Sequence, residues 1–180
     1  MEPAPGKNKR MLEVESVNAL LAGLCGMPKS ILHEENGQPY LEDHSFHISV
    51  SHTKGYAAVA LHPRFRVGID IEHFGMTVYR VREKFMQEDE LEEADEEDIY
   101  QLLLYWSAKE AVYKVLSLEG VELRRHIRIF PFEMEGEEGE LNAMELKTGT
   151  RKEFPVKYLL DKEFVLTYTV DELRGVPTAP

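Results

Sequence analysis

Asp70 and Glu72 stand two residues apart in Val67-Gly68-Ile69-Asp70-Ile71-Glu72. The alternation predicts a strand with Ile69 and Ile71 on one side and the two carboxylates on the other. Carboxylates that share a strand face repel one another unless water or a cation separates them. A second word, Trp106-Ser107-Ala108-Lys109-Glu110-Ala111-Val112-Tyr113-Lys114, predicts a helix. On it Glu110 and Lys114 lie one turn apart, below Trp106 on the same stripe. If that helix crosses the mouth of the strand, three carboxylates and an ammonium converge. Such a cluster suits a hard divalent cation bound through oxygen, with a positive group left over for a phosphate. Singly, Glu110 and Lys114 have the spacing of a surface helix pair, and Asp70 and Glu72 that of a solvated strand face. The two words gain weight together, in this order.

A third word lies upstream, Phe46-His47-Ile48-Ser49-Val50-Ser51-His52-Thr53-Lys54-Gly55. Phe46, Ile48 and Val50 alternate as one buried strand face. Thr53-Lys54-Gly55 supplies a turn, and Tyr56-Ala57-Ala58-Val59-Ala60-Leu61 is the return strand. Ser51 and His52 therefore stand at a strand end, where side chains can reach a ligand. Nothing in their surroundings points to a hydrolytic triad.

The elements that must position these words are readable along the chain. Residues 1–9 form a leader without helix or strand pattern. From Arg10 to Leu24, apolar residues at Leu12, Val14, Val17, Leu20, Leu21 and Leu24 mark a helix that ends near Gly26-Met27-Pro28. Asn36-Gly37-Gln38-Pro39 is a turn that leads into the hairpin. A helix around Val78–Met86 precedes an acidic run from Glu88 to Asp98, which reads as solvated. A long helix, Ile99–Leu118, carries Trp106 through Lys114. Alternating runs then follow at Ile127–Ile129, Leu141–Leu146, Phe154–Leu160 and Phe164–Val170, with Gly136, Gly139 and Gly149 between them, as antiparallel turns require. The fold class is α+β.

The 180-residue chain is 43% hydrophobic, enough to bury a core in one domain or two small halves. It has one cysteine, Cys25, so an internal disulfide framework is excluded. The seven histidines lack metal-ligand spacing. There is no apolar run of membrane-spanning length and no signal-peptide pattern, which predicts a soluble, cytoplasmic protein without a membrane partner. A formal net charge of −12 argues against nucleic acid as a partner.

Ser-His at a strand end, then Gly-Ile-Asp-Ile-Glu, then Trp-Ser-x-Lys-Glu-x-x-x-Lys resemble the signature of the 4′-phosphopantetheinyl transferases. The Gly-Ile-Asp word begins mid-chain at Gly68, which is similar to the tandem, Sfp-type branch and unlike the small trimeric holo-acyl-carrier-protein synthases. The resemblance implies two α/β halves related by a pseudo-two-fold axis, meeting near residues 64–72. Residues 1–66 would be the first half, on the coenzyme A side. Residues 67–180 would be the second, with the metal-binding strand, the long helix and the antiparallel strands. It implies Mg²⁺-dependent transfer of the phosphopantetheine arm of coenzyme A to a serine of an apo acyl or peptidyl carrier protein, with release of 3′,5′-ADP.

On this resemblance Asp70 and Glu110 hold Mg²⁺ with Glu72 as a third ligand, and Lys114 meets the pyrophosphate. His52, Ser51, Lys109 and Gln38 fall at coenzyme A. Glu110 or a metal-bound water is the base toward the serine, and Trp106 is a packing residue. Gln38 stands where relatives carry a lysine, and Asn18 where they carry an arginine. This keeps open a non-catalytic relative that binds coenzyme A or a carrier protein; an unrelated Mg²⁺-dependent phosphoesterase is the third reading. Arg80, Arg82, Lys84, Arg124, Arg125 and Arg128 are the basic candidates for an acidic carrier. Relatives also have a further strand and helix at the start, so the first half is expected to be shortened at its N-terminus. Its sheet edge is then expected either to pair in a homodimer or to be covered by residues 1–9.

Overall fold

A computed structural model describes residues 9–95 and 97–172. Apart from Lys9, the expected leader lies outside the described residues. Helix α1 spans Lys9–Cys25, followed by the short strands β1 (Ile31–His33) and β2 (Pro39–Leu41) and the hairpin β3 (His47–Thr53) and β4 (Tyr56–His62). Then come β5 (Val67–His73), α2 (Thr77–Val81), a single 3₁₀ turn at Arg82–Lys84, α3 (Glu88–Glu93) and α4 (Ile99–Leu116). The last described elements are α5 (Leu123–His126), β6 (Ile127–Ile129), β7 (Glu138–Glu145), β8 (Glu153–Leu160) and β9 (Phe164–Val170). No described helix is long and apolar enough to cross a membrane.

The strands make two antiparallel pairs, β1–β2 and β3–β4, and one antiparallel five-stranded sheet in the order β5-β9-β8-β7-β6. This is the expected α+β class. Helix α4 covers one face of the large sheet. It is apolar on most of its circumference, with Leu102, Leu104, Tyr105, Ala108, Val112 and Val115 buried against Ile127, Ile129, Leu141, Phe154 and Val156. Asp98 caps its start, its Oδ1 accepting from the Tyr100 amide at 2.9 Å. The helix ends at Ser117, which takes a left-handed conformation with φ of 50°. It is thus two residues shorter than the sequence pattern predicts.

Two expectations are corrected. The helix read over Val78–Met86 breaks into α2 and the 3₁₀ turn. The acidic run is only partly solvated, because α3 turns Glu90 fully inward. Along α1, Val17 is buried and Leu21 is buried beside Leu41 and Ile48, whereas Val14, Leu20 and Leu24 remain exposed.

Strand β3 meets β5 through side chains, not through a backbone ladder. Ser49 Oγ accepts from the Ile69 amide (3.1 Å), Ser51 Oγ from Ile71 (3.3 Å) and Thr53 Oγ1 from His73 (3.2 Å). The amides on the free edge of β5 are satisfied by every second residue of β3. Both faces of β3 are therefore used, the apolar one for packing and the hydroxyl one for docking.

Candidate active site

The alternation of β5 places Ile69 and Ile71 against Ala58, Phe164 and Leu166, which leaves Asp70 and Glu72 on the α4 side. Gly68 permits the close approach: a β-carbon there would stand 1.9 Å from the Ala111 carbonyl oxygen of α4. The Arg66 guanidinium donates to Leu116 O at 3.3 Å and ties the start of β5 to the end of the helix.

Asp70 is buried, and its Oδ1 accepts from Ser51 Oγ (2.9 Å) and Lys114 Nζ (2.8 Å). The Ser51 hydroxyl oxygen is itself taken by the Ile71 amide, so its proton is directed to Asp70. Lys114 Nζ also donates to Ile69 O at 2.8 Å. Asp70 Oδ2 is buried and has no hydrogen-bond partner among the described residues. An orphaned carboxylate oxygen is costly unless something else binds it.

Glu72 Oε1 accepts from Trp106 Nε1 at 2.8 Å. Burial, then the charge of Asp70, pushes the Glu72 carboxyl above its ordinary value. Glu110 is pushed up to about 7, first by burial and then by Asp70, against the opposing pull of Lys114. Three carboxylates thus share one electrostatic neighbourhood with one ammonium.

Among the described residues, no three His, Cys, Asp or Glu side chains are already gathered closely enough to hold a metal ion. The donor chemistry nevertheless fits Mg²⁺, which takes few carboxylates and keeps several waters. Asp70 Oδ2 is available, and a cation would offset the burial and the Asp70 charge that raise Glu72 and Glu110.

A cleft of about 1240 Å³ opens beside this cluster, lined by Arg10, Glu13, Asn18, Ser51, His52 and Lys114 among others. A smaller cavity of about 450 Å³, lined by Gln38, Tyr113 and Ser117, shares Lys114 with it. The family model described as the 4′-phosphopantetheinyl transferase superfamily matches residues 66–169, more than half of the chain. The chain belongs to that superfamily. No curated protein matches it. Phosphopantetheinyl transfer is the chemistry of the superfamily, and the matched span includes Asp70, Glu72, Lys109, Glu110 and Lys114.

Within this superfamily member, the structure draws Asp70, Glu72, Glu110, Lys114 and Ser51 into one electrostatic cluster. His52 lines the cleft, exposed, with Nδ1 3.7 Å from Glu13 Oε1. Gln38 lies at the side cavity, where Ser117 Oγ donates to its Oε1.

Lys109, expected at a phosphate, is placed elsewhere. It is fully buried, and its Nζ donates to Glu90 Oε2 and Ile127 O, both at 2.6 Å. The reason is rotational: adjacent helix residues point about 100° apart, so Glu110 can face the strand only if Lys109 does not. Trp106 does more than pack. Its ring meets Phe85 edge-on at 5.0 Å while its N–H orients Glu72. Of the basic candidates, Arg128 is tied to Asp89 at 2.7 Å.

Sequence reasoning missed the Trp106–Glu72 bond and the burial of Glu90. The hydroxyl docking of β3 left a signal, the alternation of Ser49, Ser51 and Thr53 opposite the apolar face.

Proposed function

We propose that this protein transfers the 4′-phosphopantetheine arm of coenzyme A to a serine of an apo acyl or peptidyl carrier protein, using Mg²⁺ and releasing 3′,5′-ADP. The observation that carries the reading is the buried, unpartnered Oδ2 of Asp70 beside Glu110 and Lys114. In this reading Asp70, Glu110 and Glu72 hold the cation, which would neutralise charge on the pyrophosphate. Coenzyme A occupies the cleft beside His52 and Ser51, and Lys114 meets its pyrophosphate. The serine oxygen bonds to the phosphorus that bears the pantetheine arm, and the pyrophosphate P–O bond breaks toward 3′,5′-ADP. Glu110 accepts the serine proton; its value of about 7 belongs to the cation-free site, and a bound cation would draw it down and keep the carboxylate ionised.

The mid-chain position of Gly68 supports the tandem branch, with residues 1–66 and 67–180 as its halves. Exposed Leu20 and Leu24, one turn apart on α1, support self-association through the first half, which sedimentation measures. The second reading is a coenzyme A binder without transfer, favoured by the neutral Gln38 and Asn18.

Incubation with coenzyme A, Mg²⁺ and an apo carrier protein, followed by weighing the carrier, separates the two. A gain of the phosphopantetheine mass supports transfer. Tight coenzyme A binding without that gain overturns transfer in favour of the binder.

A further inference from the structure

Glu90 and Lys109 are both fully buried, and the transfer reaction as read above uses neither. Lys109 Nζ donates to Glu90 Oε2 (2.6 Å), to Ile127 O (2.6 Å) and to Leu123 O (3.5 Å). Glu90 in turn accepts from the Gln87 amide through Oε2 and from the Ile129 amide through Oε1, each at 2.7 Å. One ion pair therefore binds the start of α3, the middle of α4, the α5 turn and β6. Burial pulls the Lys109 ammonium below its ordinary value, while Glu90 opposes that pull.

A buried pair of this kind adds little stability over apolar residues of similar volume, because desolvation offsets the attraction. What it supplies is direction. Apolar side chains tolerate a small rotation or slide of a helix, whereas five hydrogen bonds of defined geometry do not. Glu110 follows Lys109 directly, and Lys114 lies further along the same helix. A rotation of α4 that drew Lys109 away from Glu90 would also carry Glu110 and Lys114 away from Asp70. The seat on Gly68 sets how close α4 comes to β5; it leaves rotation about the helix axis to be set elsewhere.

We propose that the Glu90–Lys109 pair is the positioning device that sets the rotation of α4 and so holds Glu110 and Lys114 against Asp70. The catalytic part of this inference rests on the transferase reading; the geometric part does not.

The test is the full-length E90L/K109M double variant, in which apolar side chains replace the pair. It is expected to fold with a lowered urea midpoint, because the Ile129 and Gln87 amides and the Ile127 carbonyl lose their partners. Its kcat is expected to fall by roughly 10²-fold, with KM for coenzyme A held within about twofold. The Mg²⁺ needed to change the fluorescence of Trp106, the single tryptophan, rises in parallel. In a crystal structure of the variant the Lys114 Nζ–Asp70 Oδ1 contact, 2.8 Å in the parent, is lost. A folded double variant with parental kcat, parental Mg²⁺ response and that contact intact overturns the proposal. Should the double variant not fold, E90Q keeps the shape, removes one acceptor and is read by the same measurements. A parent that neither transfers nor responds to Mg²⁺ overturns the transferase reading alone; the crystal contact then decides the positioning role.

Discussion

Gly68 of β5 lies beneath Ala111 of α4 so closely that an added β-carbon would stand 1.9 Å from the Ala111 carbonyl oxygen and 2.9 Å from its carbon. These are backbone atoms, so no side-chain rotation relieves the clash. Gly68→Ala must push the helix off the strand and widen the gap between Asp70 and Glu110. The expected cost in stability is about 1–3 kcal/mol, with loss of transfer beyond what that cost explains. Urea denaturation and the carrier-mass assay read the two effects. Wild-type values for both would show that the strand and helix can part without consequence.

Glu110→Gln keeps the shape of the side chain and removes both a cation-binding charge and the candidate base. Transfer is expected to drop by roughly 10²–10⁴-fold while the circular dichroism spectrum is unchanged. Near-normal turnover by a folded variant would remove Glu110 from the site.

Asp70 and Ser107 should behave differently although both are buried. Asp70→Ala removes the orphaned oxygen, so the Mg²⁺ required for half-maximal activity rises. Ser107 Oγ shares a hydrogen bond of 2.9 Å with Thr167 Oγ1 in the core. Ser107→Ala is expected to cost about 1 kcal/mol of stability and to leave the Mg²⁺ requirement where it was. Titrating Mg²⁺ against activity for both variants checks the contrast; equal requirements for the two would refute it.

Trp106→Phe retains an aromatic ring against Phe85 but loses the N–H that orients Glu72. Removing the partner of a metal-binding side chain typically weakens metal affinity by about 10–100-fold. The expected result is a folded protein with a raised Mg²⁺ requirement. An unchanged requirement would mean that Glu72 is not held for the cation.

The metal-free protein should lose stability as pH rises through the range where Glu110 titrates. Its carboxyl is held at about 7 in the fold, against an ordinary value of 4.5. Between those values the folded state keeps a proton that the unfolded state has released, so stability falls with pH and levels off above about 7. Glu110→Gln removes this contribution. The difference between the urea midpoints of parent and variant, followed across that range in the presence of chelator, isolates it. A pH-independent difference would contradict the raised pKa.

By itself the sequence determined what depends on local spacing. Period-two alternation located β5 and put Asp70 and Glu72 on one face. The 3.6-residue period located α4 and put Glu110 and Lys114 on one stripe. The alternating runs after residue 126 became β6 through β9. Strand alternation and helix stripes are short-range properties, so they are legible without the fold.

The tertiary structure decided every contact that joins distant segments. Lys109 carries the same charge as Lys114 and lies on the same helix, yet one is buried on Glu90 and the other reaches Asp70. No local rule separates them, because the difference is which neighbour the fold brings to each side of α4. Glu90 reads as one more acid in a solvated run until β6 and α4 close over it. Ser51 gives no sign of its second role until β3 docks on β5 and commits its hydroxyl to Ile71 and Asp70. Charge and periodicity are written residue by residue, whereas burial and partnership exist only once remote segments share the same space.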